Sequence, residues 1–132
     1  MKFRTIPLLC GLFAAVSASA QASYSPEDFA VIEQGERVSF DSQSVRTLGE
    51  LTRFEIAIRA KAASERPVGS AALRQVRYVA KCAAGEMALA SVILVDGNGR
   101  VLKNMVVPPG AGEYQKPAAG SQEAAWMAKA CG

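Results

Sequence analysis

The 132-residue chain contains no histidine. That removes the commonest general base and the commonest metal ligand together. No C-x-x-C pair, phosphate-cradling G-x-x-x-x-G-K loop or G-x-S-x-G elbow occurs either. The short motifs that announce redox, phosphoryl and acyl-transfer chemistry are therefore missing. A Ser/Lys dyad or a carboxylate pair needs no local motif, yet no feature of the chain points to one. These gaps favour a non-enzymatic protein, with no catalytic residues, no metal site and no cofactor.

Long apolar runs are also absent. The longest near the start, "IPLLCGLFAAV" at 6–16, falls well short of the roughly 20 residues that span a bilayer. Lys2 and Arg4 precede it, and Ala18-Ser19-Ala20 follows as an A-x-A cleavage site. Residues 1–20 thus read as a secretory signal peptide, with Ala20-Gln21-Ala22 as an alternative cut two residues later. Pro7-Leu8-Leu9 before Cys10 is not a usable lipobox, so Cys10 leaves with the discarded segment. The expected product is exported, either periplasmic or displayed and secreted, and carries no transmembrane segment.

An excess of one charge sign is lacking too. The whole chain has 15 Lys and Arg against 12 Asp and Glu. Residues 21–132 hold 13 against 12, which leaves no global footprint for nucleic acid. Locally the balance is uneven. Residues 21–50 carry two basic and six acidic side chains, and residues 51–81 carry seven basic and two acidic.

Cysteine is scarce, and after cleavage only Cys82 and Cys131 remain of three. An even count in an exported chain reads as a disulfide. Closing a loop of about 50 residues stabilises a fold by roughly 4 kcal/mol in the chain-entropy model. Two free thiols or an intermolecular bridge are the competing readings. Residues 21–132 have the length of one domain with one modest core.

Within that domain, Ser25-Pro26-Glu27-Asp28 carries a helix-start signature. "FAVIEQGERVSFD" then reads either as a short helix closed by Gly35 or as two strands turned at Gln34-Gly35. "RVSFD" alternates as a strand, and "SQSVRTLGE" reads as a turn-rich link. "LTRFEIAIRA" puts Thr52, Phe54, Ile56, Ile58 and Ala60 on one face. "LRQVRYVAKC" puts Val76, Tyr78, Ala80 and Cys82 on one face, with Pro67 and Gly69 breaking the loop between these two strands. "MALASVILV" and "RVLKNMVV" flank Asp96-Gly97-Asn98-Gly99, a hairpin signal. Pro108, Pro109 and Pro117 mark an irregular connection to a helix at 121–131 capped by Ser121. On that helix Ala124, Met127 and Cys131 share a face, with Trp126 and Ala130 on an adjacent stripe. That places Cys131 on the inward side of the last turn and makes Trp126 a core anchor. The fold class is α+β: an antiparallel sheet of five or six strands with a C-terminal helix packed on one face.

Arg53 and Arg59 fall on outward positions of one strand, and Arg77 and Lys81 on outward positions of the next. If those strands pair, they form a basic face suited to an acidic partner. A solvated face, neutralised in part by Glu55 and the acidic N-terminal segment, is the plainer reading. Tyr114, in the proline-rich connection, is a candidate exposed contact or the cover of a sheet edge.

The order "VSFDSQSVRTLG", a strand, "VRYVAKC", "VDGNGRVL", a loop, a serine, a short helix and a terminal cysteine resembles the surface-adhesin protein E family. That resemblance implies a small exported bacterial domain, a disulfide at Cys82 and Cys131, and a role in binding host or extracellular matrix proteins. Lys81 stands where such domains often carry an acid, Val95 where an aromatic is expected, and no lipobox supports a lipid anchor. The expected partner is accordingly a host or matrix protein or an anionic polymer. The alternative is a periplasmic structural or accessory domain of unknown ligand, self-associating as a homodimer through an edge strand.

Overall fold

The computed structural model describes residues 26–62, 70–108 and 113–132. Residues 1–20, read above as a signal peptide, and Ser25, Pro67, Gly69 and Pro109 lie outside the described residues. Helix α1 covers Pro26–Ala30. Strands β1 (Arg37–Leu48), β2 (Leu51–Arg59), β3 (Leu73–Lys81), β4 (Glu86–Val95) and β5 (Val101–Val106) follow, and helix α2 covers Gln122–Cys131. The five strands form one sheet in sequence order, every neighbouring pair antiparallel. The architecture is α+β, a meander with the C-terminal helix packed on it.

Neither of the two readings left open after Pro26 holds whole. The helix ends at Ala30, short of Gly35, and the Gln34-Gly35 turn leads into one strand, with none before it among the described residues. Pro26 starts a helix of five residues, and Gln34-Gly35 then turns the chain into β1 with Gly35 at φ 88°. Only glycine adopts that backbone region without strain.

The stretch expected as a turn-rich link is instead the second half of β1. The strand runs to Leu48, with a register shift between Asp41 and Arg46. Local side-chain bonds made the stretch look like a turn. Asp41 Oδ1 accepts from the Gln43 amide at 3.0 Å, and Ser44 Oγ donates to the Asp41 carbonyl at 2.6 Å. Ser44 Oγ also accepts from the Glu55 amide at 2.8 Å, so the bulge is stitched to β2 rather than released from it. β1 and β2 close through Gly49-Glu50, with Gly49 at φ 60° as the first central residue, the place a type II′ hairpin turn gives to glycine.

The alternation in β2 holds residue by residue. Thr52, Phe54, Ile56 and Ile58 are buried while Leu51, Arg53 and Arg59 are exposed. Val76 and Ala80 of β3, Val92 of β4 and Met105 of β5 continue the buried face. Burying each large side chain here is worth about 1.5–3 kcal/mol. The β4–β5 turn also forms as expected: Asp96 Oδ1 accepts from the amides of Asn98 (2.9 Å) and Arg100 (2.8 Å), with Gly99 at φ 82°.

Both helices lie on the buried face, α2 against β1, β2 and β3, and α1 against β3 and β4. Ser121 caps α2 by accepting from the Ala124 amide at 3.2 Å. Trp126 and Ala130 form its buried stripe, and Trp126 continues a row of rings, Phe40–Phe54–Tyr78–Trp126, with centroids 5.6, 5.5 and 5.9 Å apart. Arg74 holds α1 down. Its guanidinium donates to the carbonyls of Phe29 and Val31 and pairs with Glu36, with both side chains largely shielded.

Cys82 and Cys131 form the disulfide, with Cα atoms 5.6 Å apart and 49 residues between them in sequence. Two details differ from expectation. β3 ends at Lys81, so Cys82 opens a short 3₁₀ turn instead of belonging to the strand. Cys131 is exposed rather than inward, because Trp126 and Ala130 take the buried stripe and leave the last residue of α2 at its rim.

Candidate functional site

The helices cover one side of the sheet and leave the other side of β1–β3 open. A strand turns alternate residues to opposite sides, so residues directly paired across strands share a side. Ile56 and Phe54 are buried, which places Arg53, Glu55, Ala57 and Arg59 on the open side. Pairing then sets out rows. Arg59 stands opposite Arg37, Glu55 opposite Asp41 and Arg77, and Arg53 opposite Arg46 and Val79.

Of the four basic residues expected on this face, the sheet brings Arg53, Arg77 and Lys81 together. Val79 is the direct partner of Arg53, so Arg77 and Lys81 are its diagonal neighbours, about 7–8 Å away backbone to backbone. Arg59 stands apart. It lies six residues along β2 from Arg53, about 20 Å at strand rise.

The four also differ in what meets their charge. Arg77 donates through Nε to Glu55 Oε1 at 2.9 Å and through Nη2 to the same oxygen, a forked ion pair that neutralises it locally. Lys81 holds its ammonium 4.0 Å from the centroid of the Tyr114 ring. Tyr114 is thus half-buried beneath a cation at the sheet margin. Arg53 and Arg59 are exposed and make no ion pair among the described residues.

Two residues were not picked out from the sequence, Arg37 and Arg46. Each sits directly across the β1–β2 ladder from an exposed arginine. Arg46 Nη1 donates to the carbonyls of Gln43 and Val45, both at 2.8 Å, which folds it over the bulge. Reading "SQSVRTLGE" as a link hid Arg46. Arg37 was visible as an outward strand position, but its partner depends on register. The Gly49-Glu50 hairpin signal was the one clue to that register.

The open side thus has a basic end at Arg46 and Arg53, with Lys81 beside it standing opposite Glu86, a mixed middle row of Asp41, Glu55 and Arg77, and a second basic end at Arg37 and Arg59. Among the described residues, no group of three or more His, Cys, Asp or Glu is placed to hold a metal ion. No helix there is long and apolar enough to cross a membrane. Compared with protein-family models, curated proteins and solved structures, the chain matches none.

Proposed function

We propose that this protein is an exported, non-enzymatic binding domain that docks an extended anionic partner on the open side of its sheet. The observation that carries this reading is the pair of cross-strand arginine couples, Arg37 with Arg59 and Arg46 with Arg53. Like charges set directly opposite one another destabilise a sheet. Two neighbouring guanidinium groups also make a strong receptor for sulfate, phosphate or carboxylate, because each offers a planar fork of donors. With the two ends about 20 Å apart, a partner bearing repeated anionic groups engages both, and a small single anion does not. The partner class is an anionic polymer chain such as a sulfated glycan.

Support for export comes from Lys2, Arg4 and the Ile6–Val16 run followed by Ala18-Ser19-Ala20. The order of segments that resembles surface-adhesin protein E supports an adhesin-like role.

Retention on immobilised heparin over a salt series tests the reading. The wild-type protein is expected to bind at low salt and elute as salt rises, since exposed charges are screened beyond about 10 Å at 0.1 M. Replacing Arg37, Arg46, Arg53 and Arg59 with Gln is expected to abolish retention while the circular dichroism spectrum stays unchanged. Retention that survives the fourfold replacement overturns the docking face.

A second reading, an accessory domain that self-associates through an edge strand, has one specific observation in its favour. Val101, Leu102 and Val106 of β5 are 58, 44 and 62% exposed, and β5 pairs only with β4 among the described residues. Sedimentation equilibrium decides it, and a monomer at 100 μM or so removes it.

A further inference from the structure

The buried side of the sheet is not wholly roofed. Among the described residues, β5 pairs only with Ser91–Val95 of β4. The earlier half of β4 is bordered instead by a short bridge, in which Met87 and Gln115 exchange amide-to-carbonyl bonds of 2.9 and 3.0 Å. Between α1, α2 and this bridging segment lies a cleft of about 660 Å³, open to solvent. That volume is in the range of about 300–1,000 Å³ typical of small-molecule sites.

Its floor is apolar and aromatic, from Tyr78, Met87 and Leu89. Tyr78 is held rigidly, stacked at 5.5 Å on Phe54 and at 5.9 Å from Trp126. Its phenol is kept neutral far into alkaline pH, with the pKa pushed up to about 12 by burial and then by the Glu123 carboxylate. The phenol therefore stays uncharged at neutral pH, and the residue adds an apolar, aromatic wall to the cleft. The sides carry carboxylates from three separate elements: Glu27 of α1, Glu113 of the bridging segment and Glu123 of α2. Among the described residues of the lining, Lys116 is the one basic side chain set against the Glu113 and Glu123 carboxylates, which leaves an acidic excess. Neither Glu113 nor Glu123 closes an ion pair among the described residues.

We propose that this cleft binds an organic cation, an ammonium group carried on an apolar or aromatic body. The Glu113 and Glu123 carboxylates attract the charge, and Tyr78, Met87 and Leu89 take the apolar or aromatic body. Anions are repelled. The site lies on the opposite side of the sheet from the arginine couples, so its ligand chemistry is independent of theirs.

Trp126 is the only tryptophan in the chain and touches the ring that floors the cleft. Its emission serves as the reporter. The titrants are phenethylamine, 2-phenylethanol and phenylacetate, which share a ring and differ in charge. One carboxylate at 4 Å in water is worth about a five-fold change in affinity. The amine is expected to saturate the signal with an affinity at least five-fold above the alcohol, and phenylacetate to bind more weakly than either. Raising salt from 10 mM to 0.5 M is expected to narrow the gap between amine and alcohol. Glu113→Gln with Glu123→Gln is expected to bring the amine to within about two-fold of the alcohol, whose own affinity stays the same. Arg53→Gln with Arg59→Gln is expected to leave the amine unaffected. Equal binding of amine and alcohol to the wild-type protein, or no saturable response to the amine, overturns the proposal without recourse to any variant.

Discussion

Replacing Arg53 and Arg59 with Gln is expected to move stability and polyanion binding in opposite directions. Each arginine faces another across the β1–β2 ladder, and neither makes an ion pair among the described residues. Were the two heads of a couple to stand about 7 Å apart, they would repel in water by about 0.6 kcal/mol. Gln keeps much of the stem that covers the strand and removes only the charge. The double variant should therefore gain about 1 kcal/mol at 10 mM salt, where the Debye length is about 30 Å. The gain should shrink to a few tenths at 1 M, where it is about 3 Å. Arg46 already rests on two carbonyls, so most of the gain should come from Arg59. Urea unfolding followed by Trp126 emission reads the effect as a midpoint shift of about 0.5 M at low salt. Heparin retention, measured on the same samples, should fall sharply. A variant less stable than wild type at low salt, or a gain that ignores salt, refutes the electrostatic reasoning.

Other perturbations test the buried side. Removing both sulfurs with Cys82→Ser and Cys131→Ser should cost about 4 kcal/mol in urea unfolding, the chain-entropy value for a 49-residue separation; an unchanged midpoint would show that α2 stays docked without its staple. Arg74→Ala leaves the shielded Glu36 carboxylate with the Glu33 amide but without its counter-ion, and frees the carbonyls of Phe29 and Val31. A loss of about 3 kcal/mol is expected, with faster hydrogen exchange in α1, and a loss below 1 kcal/mol would contradict the anchoring role. Tyr78 has a folded pKa of about 12 against 10.0 unfolded, so folding favours its protonated form. Its contribution is complete below pH 10 and is lost as pH rises from 10 to 12, at about 1.4 kcal/mol per pH unit. Tyr78→Phe should flatten that alkaline limb in stability measured from pH 9 to 12.

Much of this fold was legible because its signals are local. Period-two alternation in "LTRFEIAIRA" identified the buried face of β2, and Asp96-Gly97-Asn98-Gly99 identified the last hairpin. Ser121 marked the start of α2 in the same way. The failures share a cause. In β1 the side chains of Asp41 and Ser44 bond their own backbone, which mimics a turn in sequence while the strand carries on through a bulge. Because the bulge was unseen, Arg46 could not be set against Arg53. The cleft was illegible for a different reason. Glu27, Tyr78, Glu113 and Glu123 are spread over nearly a hundred residues and meet only through tertiary packing.

The division of labour between the two sides of the sheet decides how far function can be probed without unfolding. Phe54, Ile56, Ile58, Val76 and Val92 are fully buried on one side, and both helices, the ring row and the Arg74 anchor act there. On the open side, the firm side-chain links across strands are the Arg77–Glu55 fork and the Ser44 bond that closes the bulge. Arg53 and Arg59 belong to neither. Exposed substitutions away from such links usually change stability by less than about 0.5 kcal/mol apart from the charge term. Replacement of Arg77 is different, since it strands Glu55 beside Asp41 and creates a new repulsion in the middle row. Arg77→Gln should thus lower stability where Arg59→Gln raises it, although both remove one positive charge. Opposite signs for these two variants would locate the open charge at the arginine couples, and equal signs would mean that the middle row carries no organised pairing.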